Sequence, residues 1–488
     1  MSICGKVILV LGIIGAALFV VGFVLGFSSA LDGLINRQIE SSVRLENNTT
    51  QFDRWATLPF PLQFKIYAFN VVNPAEILNG AKPIVEEVGP FVYNQRRQKE
   101  DIEYDEETDS FRYTQRQMFE FDEELSALSE DTVITVLNMP LQGIFLTIEG
   151  TSTVISINEF WDNMFNNDGY FLTITARELF FEGYHFCITQ NINVILRLTC
   201  NGLKAMITDS KTMTSDNEKI TFSFFGHKNN SHDGLYEVSG GNKDIHTLGA
   251  ILSWQEQNHL DTWNGENSTC NRIRGRDSSI YPPFNNESSS FDIFNTDLCR
   301  IVNLKANGTT EYENIEGILL KLGIDEMISD CDKRCYCIRE TLDLNGEREC
   351  LPVGFADMRS CTSAPILSSF PHMLWADEIY ANTVIGQEPN AEKHQTFVVL
   401  EPNTGTPLQG AKRIQFNVVI RPIEGLTVTE NLRHSVFPVI WVEEGFNLPD
   451  EQVQQLQDDF FAKINMLNAI SYALIGVGAE LSSDILSN

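Results

Sequence analysis

The sequence predicts an α+β fold: one large, mainly antiparallel β domain with inserted helices, exported and held by an N-terminal membrane helix. Three observations predict it. Short segments in which apolar and polar residues alternate, as in strands with one buried face, recur from residue 62 to residue 442 with turn signals between them. No repeat or low-complexity linker divides that stretch, so the strands read as one domain. Ahead of it, residues 7–27 form a run of 21 residues without a charge, long enough to cross the hydrocarbon core as a helix.

Lys6 and the terminal amine precede the apolar run, and Asp32, Arg37, Glu40 and Arg44 come after it, which favours a cytosolic N-terminus. A cleaved signal peptide is the competing reading, since Ser28 and Ala30 offer small residues at the right place. The apolar run exceeds the roughly 7–15 residues usual for a signal, which favours an uncleaved anchor. Both readings export the remainder of the chain. The expected organisation is residues 1–6 cytoplasmic, 7–29 membrane helix, 30–463 ectodomain, 464–479 a short second membrane segment and 480–488 a tail.

Residues 111–121 set Phe111, Tyr113, Gln115, Gln117, Phe119 and Phe121 against polar partners, and Ile414, Phe416, Val418 and Ile420 alternate with Arg413, Gln415 and Asn417. Both read as strands, as do 63–70, 220–225, 396–400 and 436–442, bounded by turn signals such as Asn73-Pro74, Gly89-Pro90 and Gly240-Gly241. The clearest helix carries Ile157, Phe160, Trp161, Met164 and Phe165 on one stripe. That stripe is either core packing or the border of a lipid-receiving groove. A second helix starts near Pro449 with Val453, Leu456, Phe460, Phe461 and Ile464. It runs into 464–479, where Asn465, Asn468 and Ser471 make a short, polar candidate for a membrane span.

Export has independent support. Asn47, Asn48, Asn229, Asn267, Asn286 and Asn307 each begin an N-x-S/T sequon. Of ten cysteines only Cys4 precedes the anchor, and seven fall from Cys270 to Cys361, a density that reads as a disulfide framework in an oxidising compartment. Cys331, Cys335 and Cys337 lack the paired C-x2-C spacing of zinc sites, so disulfides are preferred to metal there. The net charge of −31 excludes a general nucleic-acid binder, which needs a basic footprint. No nucleophile elbow, zinc helix or phosphate loop occurs, and the eight histidines are dispersed. The expectation is therefore no catalytic residue, no metal, no cofactor and no enzyme.

Several segments together resemble the class B scavenger receptor family. They are Leu58-Pro59-Phe60-Pro61-Leu62, Tyr67-Ala68-Phe69-Asn70, Glu87-Val88-Gly89-Pro90-Phe91, Cys270 to Gly275 with Asp277 and Pro282-Pro283-Phe284, Asp297-Leu298-Cys299-Arg300, Cys335-Tyr336-Cys337, Pro371-His372, and Ala411-Lys412-Arg413-Ile414-Gln415-Phe416-Asn417. Within it, Trp441-Val442-Glu443-Glu444-Gly445 and the Cys187/Cys200 pair are most similar to the insect sensory neuron membrane proteins. The resemblance implies a twisted antiparallel β-barrel crossed by a hydrophobic tunnel and capped by a helical bundle. It also implies the pairs Cys270–Cys335, Cys299–Cys361, Cys337–Cys350 and Cys187–Cys200, leaving Cys331 over. The Ile157 to Phe165 stripe would lie in the cap, where ligands or carriers dock. Two departures stand out. The stretch Asn166-Asn167-Asp168-Gly169 has no lysine to meet a lipid carboxylate, and the family's second full membrane span is expected to be shortened here.

The function so implied is capture of hydrophobic ligands, such as pheromone or odorant lipids, outside the cell. Delivery would be to the cell membrane or an odorant receptor channel, with a lipid-carrier protein as a further partner. Two alternatives stay open: a scavenger receptor for lipoprotein, carotenoid or cell debris, and a lysosomal enzyme-trafficking receptor.

Overall fold

The computed structural model describes residues 29–462 apart from 191, 209, 264–267, 328–333, 338–349 and 352, together with isolated positions nearer each end. The expected membrane segments at 7–29 and 464–479, the sequon at Asn267, Cys4 and Cys331 fall outside the described residues or almost wholly so. Among the described residues no helix is long and apolar enough to cross a membrane.

The strands, in chain order, are β1 (Leu62–Val71), β2 (Val85–Asp105), β3 (Ser110–Phe121), β4 (Val133–Leu137), β5 (Phe171–Thr175), β6 (Tyr184–Phe186), β7 (Met213–Ser215), β8 (Ile220–Phe222), β9 (Ser231–Ser239), β10 (Ile251–Trp254), β11 (Ser290–Asn295), β12 (Arg300–Tyr312), β13 (Ile315–Leu322), β14 (Ala356–Asp357), β15 (Leu367–Ser369), β16 (Phe397–Leu400), β17 (Pro407–Ile420) and β18 (Ser435–Asn447). The principal helices are α1 (Ser29–Val43), α2 (Thr50–Ala56), α3 (Met139–Ile148), α4 (Thr153–Met164), α5 (Val194–Met206) and α6 (Asp450–Leu456).

Thirteen of these strands form one sheet in the order β10-β9-β3-β2-β1-β18-β17-β16-β13-β12-β11, with β15 and β14 attached beside β17. Each neighbour pair in that order is antiparallel. The sheet curls until its edges nearly meet. Ala250, just before β10, bridges Arg276, and Arg276 bridges Ile293 of β11. Three backbone hydrogen bonds knit this seam: Ile251 N–H to Gly275 O at 2.8 Å, Arg276 N–H to Asp292 O at 2.9 Å, and Phe294 N–H to Arg276 O at 3.1 Å. A nearly closed antiparallel barrel results, which leaves little edge backbone to solvent.

Alternation explains the wall. In β1, Leu62, Phe64, Ile66 and Ala68 are buried while Gln63, Lys65 and Tyr67 are half-buried on the other face. The inward side chains join one large apolar core that continues into the cap. One end of the barrel is covered by α1 and α2, where Trp55 sits 5.5 Å from Phe111 and 5.0 Å from Tyr113. Thr49 starts α2 by accepting the Phe52 N–H at 3.2 Å. Elsewhere, α3, α4 and α5 gather with the β4-β5 pair and the three-stranded sheet β6-β8-β7 to form the cap.

The structure shortens one expected element. The segment 220–225 is a strand only as β8 and belongs to the cap sheet, not to the barrel. Segments 63–70, 111–121, 414–420 and 436–442 lie in β1, β3, β17 and β18, and all of 396–400 but Thr396 lies in β16.

Candidate functional site

The register fixes which side chains face the barrel interior. Phe64 of β1 lies opposite Glu444 of β18 and Tyr93 of β2, and Glu444 lies opposite Lys412 of β17. Opposed residues of an antiparallel pair share a face, so Glu444 and Lys412 point inward with Phe64 and Tyr93. Gln95 and Arg97 continue the inward face of β2, opposite Phe119 and Gln117 of β3.

These charges meet inside. Arg97 pairs with Glu444. Asp297, in the turn between β11 and β12, receives Lys228 and, at 3.3 Å, Lys412. In the sheet order β17 and β12 are separated by β16 and β13, so the Lys412–Asp297 contact runs across the interior. Asp233 completes the group: Tyr236 and Thr296 donate to its Oδ2 at 2.6 and 2.7 Å. Although deep in the protein, the Asp297 and Lys412 side chains keep 39% and 38% of their accessible surface. They therefore face open space rather than packed atoms. Gln95 is 1% exposed, and its Oε1 finds no partner among the protein's atoms; nor do Arg97 Nε, Asp233 Oδ1 and His227 Nδ1. Buried polar atoms are rarely left so.

The electrostatics agree. Burial acts to raise the Asp297 and Glu444 carboxyls, but the surrounding cations outweigh it and hold both below the usual carboxylate range. Burial likewise opposes the charge of Arg97, and Glu444 more than restores it. Next along β2, burial pulls Lys99 down to about 8, while its ammonium donates to Trp55 O at 2.9 Å and lies over the Trp55 and Tyr113 rings.

The outward residues of the same dipeptides make a separate, fully paired network. Glu443 receives Lys65 at 2.8 Å and Arg413 at 2.7 Å. Trp441 stacks on Tyr67 at 3.8 Å and donates to Glu87 at 2.7 Å. His372 accepts the Glu388 N–H on Nδ1 at 2.9 Å, so its Nε2 carries the proton it donates to Glu87 at 2.5 Å. Every partner is a structural one, and no nucleophile stands in the group.

In the cap, the stripe divides. Ile157, Met164 and Phe165 are core, with Phe165 just past the end of α4 and stacked on Phe186 at 4.4 Å. Phe160 and Trp161 are half-buried at the core's edge, and Trp161 meets Phe145 edge-on at 6.3 Å. A separate apolar cleft of about 70 Å³ opens between α3, α5 and the barrel wall, lined by Met139, Ile144, Leu203, Met206, Phe222 and Val418 among others. None of the five stripe residues lines it. In the turn after α4, Asp168 accepts from Tyr184 at 2.8 Å.

Four disulfides join Cys187 to Cys200, Cys270 to Cys335, Cys299 to Cys361 and Cys337 to Cys350. Asn47, Asn48, Asn229, Asn286 and Asn307 are exposed, as acceptor sites for glycans must be. Among the described residues, no three histidine, cysteine or acidic side chains are placed to hold a metal ion. Sequence reasoning missed Arg97, Lys228, Asp297, Lys412 and Glu444. The available signal was the pair of charged dipeptides Lys412-Arg413 and Glu443-Glu444 inside otherwise apolar strands, since alternation must turn one member of each inward.

Residues 13–483 match the CD36 family. The chain is 34% identical to sensory neuron membrane protein 2 of Anopheles gambiae, over 96% of this chain and 90% of that one. It is 32% identical to sensory neuron membrane protein 2 of Drosophila melanogaster, over 97% and 96%. With sensory neuron membrane protein 1 of Apis mellifera it shares 32% identity over 92% and 85%.

Proposed function

The chain belongs to the CD36 family, the class B scavenger receptors, and from that premise we propose that it is a lipid receptor and transfer protein of the cell membrane. It captures hydrophobic ligands of the pheromone or odorant type outside the cell and passes them through the barrel toward the bilayer or a receptor channel. Residues 7–29 anchor it, residues 30–463 form the glycosylated ectodomain, and residues 464–479 lie in or at the membrane. The observation that supports this reading is the nearly closed antiparallel sheet, on whose inward side Lys412 and Asp297 keep over a third of their accessible surface.

No catalytic step is needed. A chain of 16 carbons leaving one apolar phase for another through water meets a barrier of order 10 kcal/mol, at about 0.8 kcal/mol per CH₂. A sheltered path removes most of it. Phe160 and Trp161, at the edge of the cap core, are the stripe residues placed to meet an arriving ligand; Ile157, Met164 and Phe165 support them from within.

Cells displaying the full chain should transfer fluorescent hexadecanol, hexadecyl acetate or hexadecanoic acid to their membranes faster than cells without it. Trp161→Ser should reach the surface and slow that transfer several-fold. Equal transfer of all three lipids by cells with and without the protein would overturn the proposal.

A further inference from the structure

Residues 386–390, with Gly386 and Pro389 among them, belong to no helix or strand, so their backbone groups must find partners outside any ladder. The strap they form runs over the outward face of the barrel and is fastened at both ends. At one end Ile385 N–H donates to Pro83 O at 2.9 Å and Ile385 O accepts Val85 N–H at 3.0 Å. At the other, the Arg413 guanidinium of β17 donates to Glu392 O at 3.2 Å and to Gln395 O at 2.7 Å. Between these ends the middle rests on two imidazoles: Glu388 N–H donates to His372 Nδ1 at 2.9 Å, and Asn390 N–H donates to His394 Nδ1 at 3.0 Å. Gln415 adds one long bond, to Gln387 Oε1 at 3.3 Å.

A neutral imidazole has one nitrogen that accepts and one that donates. Both rings therefore carry their proton on Nε2, and a second proton would place a donor where each strap N–H now points. Proton and strap compete for the same lone pair. The two rings are buried and stacked, with centroids 4.5 Å apart and planes 12° from parallel. Glu87 of β2 faces them and already accepts from His372 and Trp441. Arg413 of β17 and Lys393 of the strap add positive charge beside His394. Glu443 of β18 is taken by Lys65 and Arg413, and Tyr67 of β1 by its stack on Trp441. Glu388 and Glu392, also on the strap, are exposed. One carboxylate thus faces two imidazoles and two cations, so a second proton on the stack has no counter-charge.

We propose that residues 385–395 are an acid-released strap: protons taken up by His372 and His394 lift its middle, residues 387–391, and open the outer wall of the barrel around Tyr67 and Trp441. The ends stay fastened, because backbone groups and an arginine hold them and neither titrates in mild acid. At neutral pH the wall is covered, and Trp441 is only 4% exposed although it lies on the outward face. The strap thereby distinguishes a neutral exterior from an acidic compartment, whatever the barrel carries.

Amide hydrogen exchange of the purified full chain in lipid nanodiscs, read by mass spectrometry at about pH 7 and about pH 4.5 and corrected for intrinsic exchange, tests this. With the strap closed, burial and then the stacked His372 keep His394 neutral down to about 4, against about 6.5 in water. The open population should therefore rise about fiftyfold between the two pH values from His394 alone. Peptides covering residues 385–394 should lose protection by that factor, while those of β17 keep theirs. Asparagine sets an oxygen near the place of Nδ1, an acceptor that takes no proton. Joint His372→Asn and His394→Asn substitution should hold the strap closed at both pH values. Unchanged protection of 385–394 in the unaltered protein, or an equal loss there and in β17, overturns the strap. So does a double variant that folds and still opens in acid. Should the double variant not fold, the contrast between strap and β17 in the unaltered protein decides by itself.

Discussion

His227 and His394 are held neutral by the fold. Burial, then the neighbouring Lys228, pulls His227 down to about 4; burial, then the stacked His372, does the same to His394. In the unfolded chain a histidine titrates near 6.5. Between about pH 6.5 and 4 the unfolded state therefore binds more protons than the folded one, so stability falls as pH falls through that window. Asp357 acts in the opposite sense: burial raises it to about 6, so it takes up a proton in the folded state first and adds stability as pH drops below 6. His185, lowered by burial and then by Lys219, adds to the two histidines, so three groups oppose one, and the carboxylates held low by cations lose their contribution only below about pH 4.5. The melting temperature of the purified protein should be several degrees lower at about pH 5 than at about pH 7. Joint His227→Gln and His394→Gln substitution should shrink that drop, and Asp357→Asn should deepen it. A melting temperature that does not change between the two pH values would contradict the assignment of both histidines as buried and neutral.

At the scale of elements, legibility followed the chemistry of each strand's inward face. β1 and β17 turn apolar residues inward at most positions with a period of two, and β18 opens as a continuous apolar run of strand length. β2 is the longest strand and carries no such signal beyond Tyr93, because its inward face becomes Gln95, Arg97 and Lys99. The feature that hides the strand is the one that builds the inward ionic group. Pairing partners were equally hidden: Arg97 and Glu444 lie 347 residues apart, and Lys412 and Asp297 lie 115 apart. The barrel seam, too, has no periodicity, since it is a short extended link rather than a strand. It depends on Gly275, whose φ of +97° suits glycine and whose added Cβ would stand 2.5 Å from Asp292 O. Gly308 has a similar φ of +91° with open space around it. Gly308→Ala should therefore cost about 1 kcal/mol of strain, whereas Gly275→Ala should cost that and the displacement of β11, about 3 kcal/mol or more. Urea midpoints of the two variants test the difference, and limited proteolysis should cut near residues 250–276 in the second variant alone.

At the scale of the whole molecule, the disulfides brace different parts, and one of them holds the turn that carries Asp297. Cys299 sits two residues after Asp297 in the same turn, and its partner Cys361 lies with its sulfur 3.4 Å from Asp297 O. Trp263 donates to Cys299 O at 2.6 Å from the far side. Cys187–Cys200 instead ties the residue after β6, in the cap sheet, to α5. The two links also differ in reach, with sequence separations of 62 and 13 residues. In the chain-entropy account the longer loop restricts the unfolded chain more, which predicts about 4 kcal/mol for Cys299–Cys361 and about 3 kcal/mol for Cys187–Cys200. Paired Cys→Ser substitution at each bridge, followed by urea unfolding, measures both. The larger loss should fall on the Cys299/Cys361 variant. If the Cys187/Cys200 variant proves the less stable, local packing of the cap outweighs loop entropy, and the cap rather than the barrel turn limits the stability of the fold.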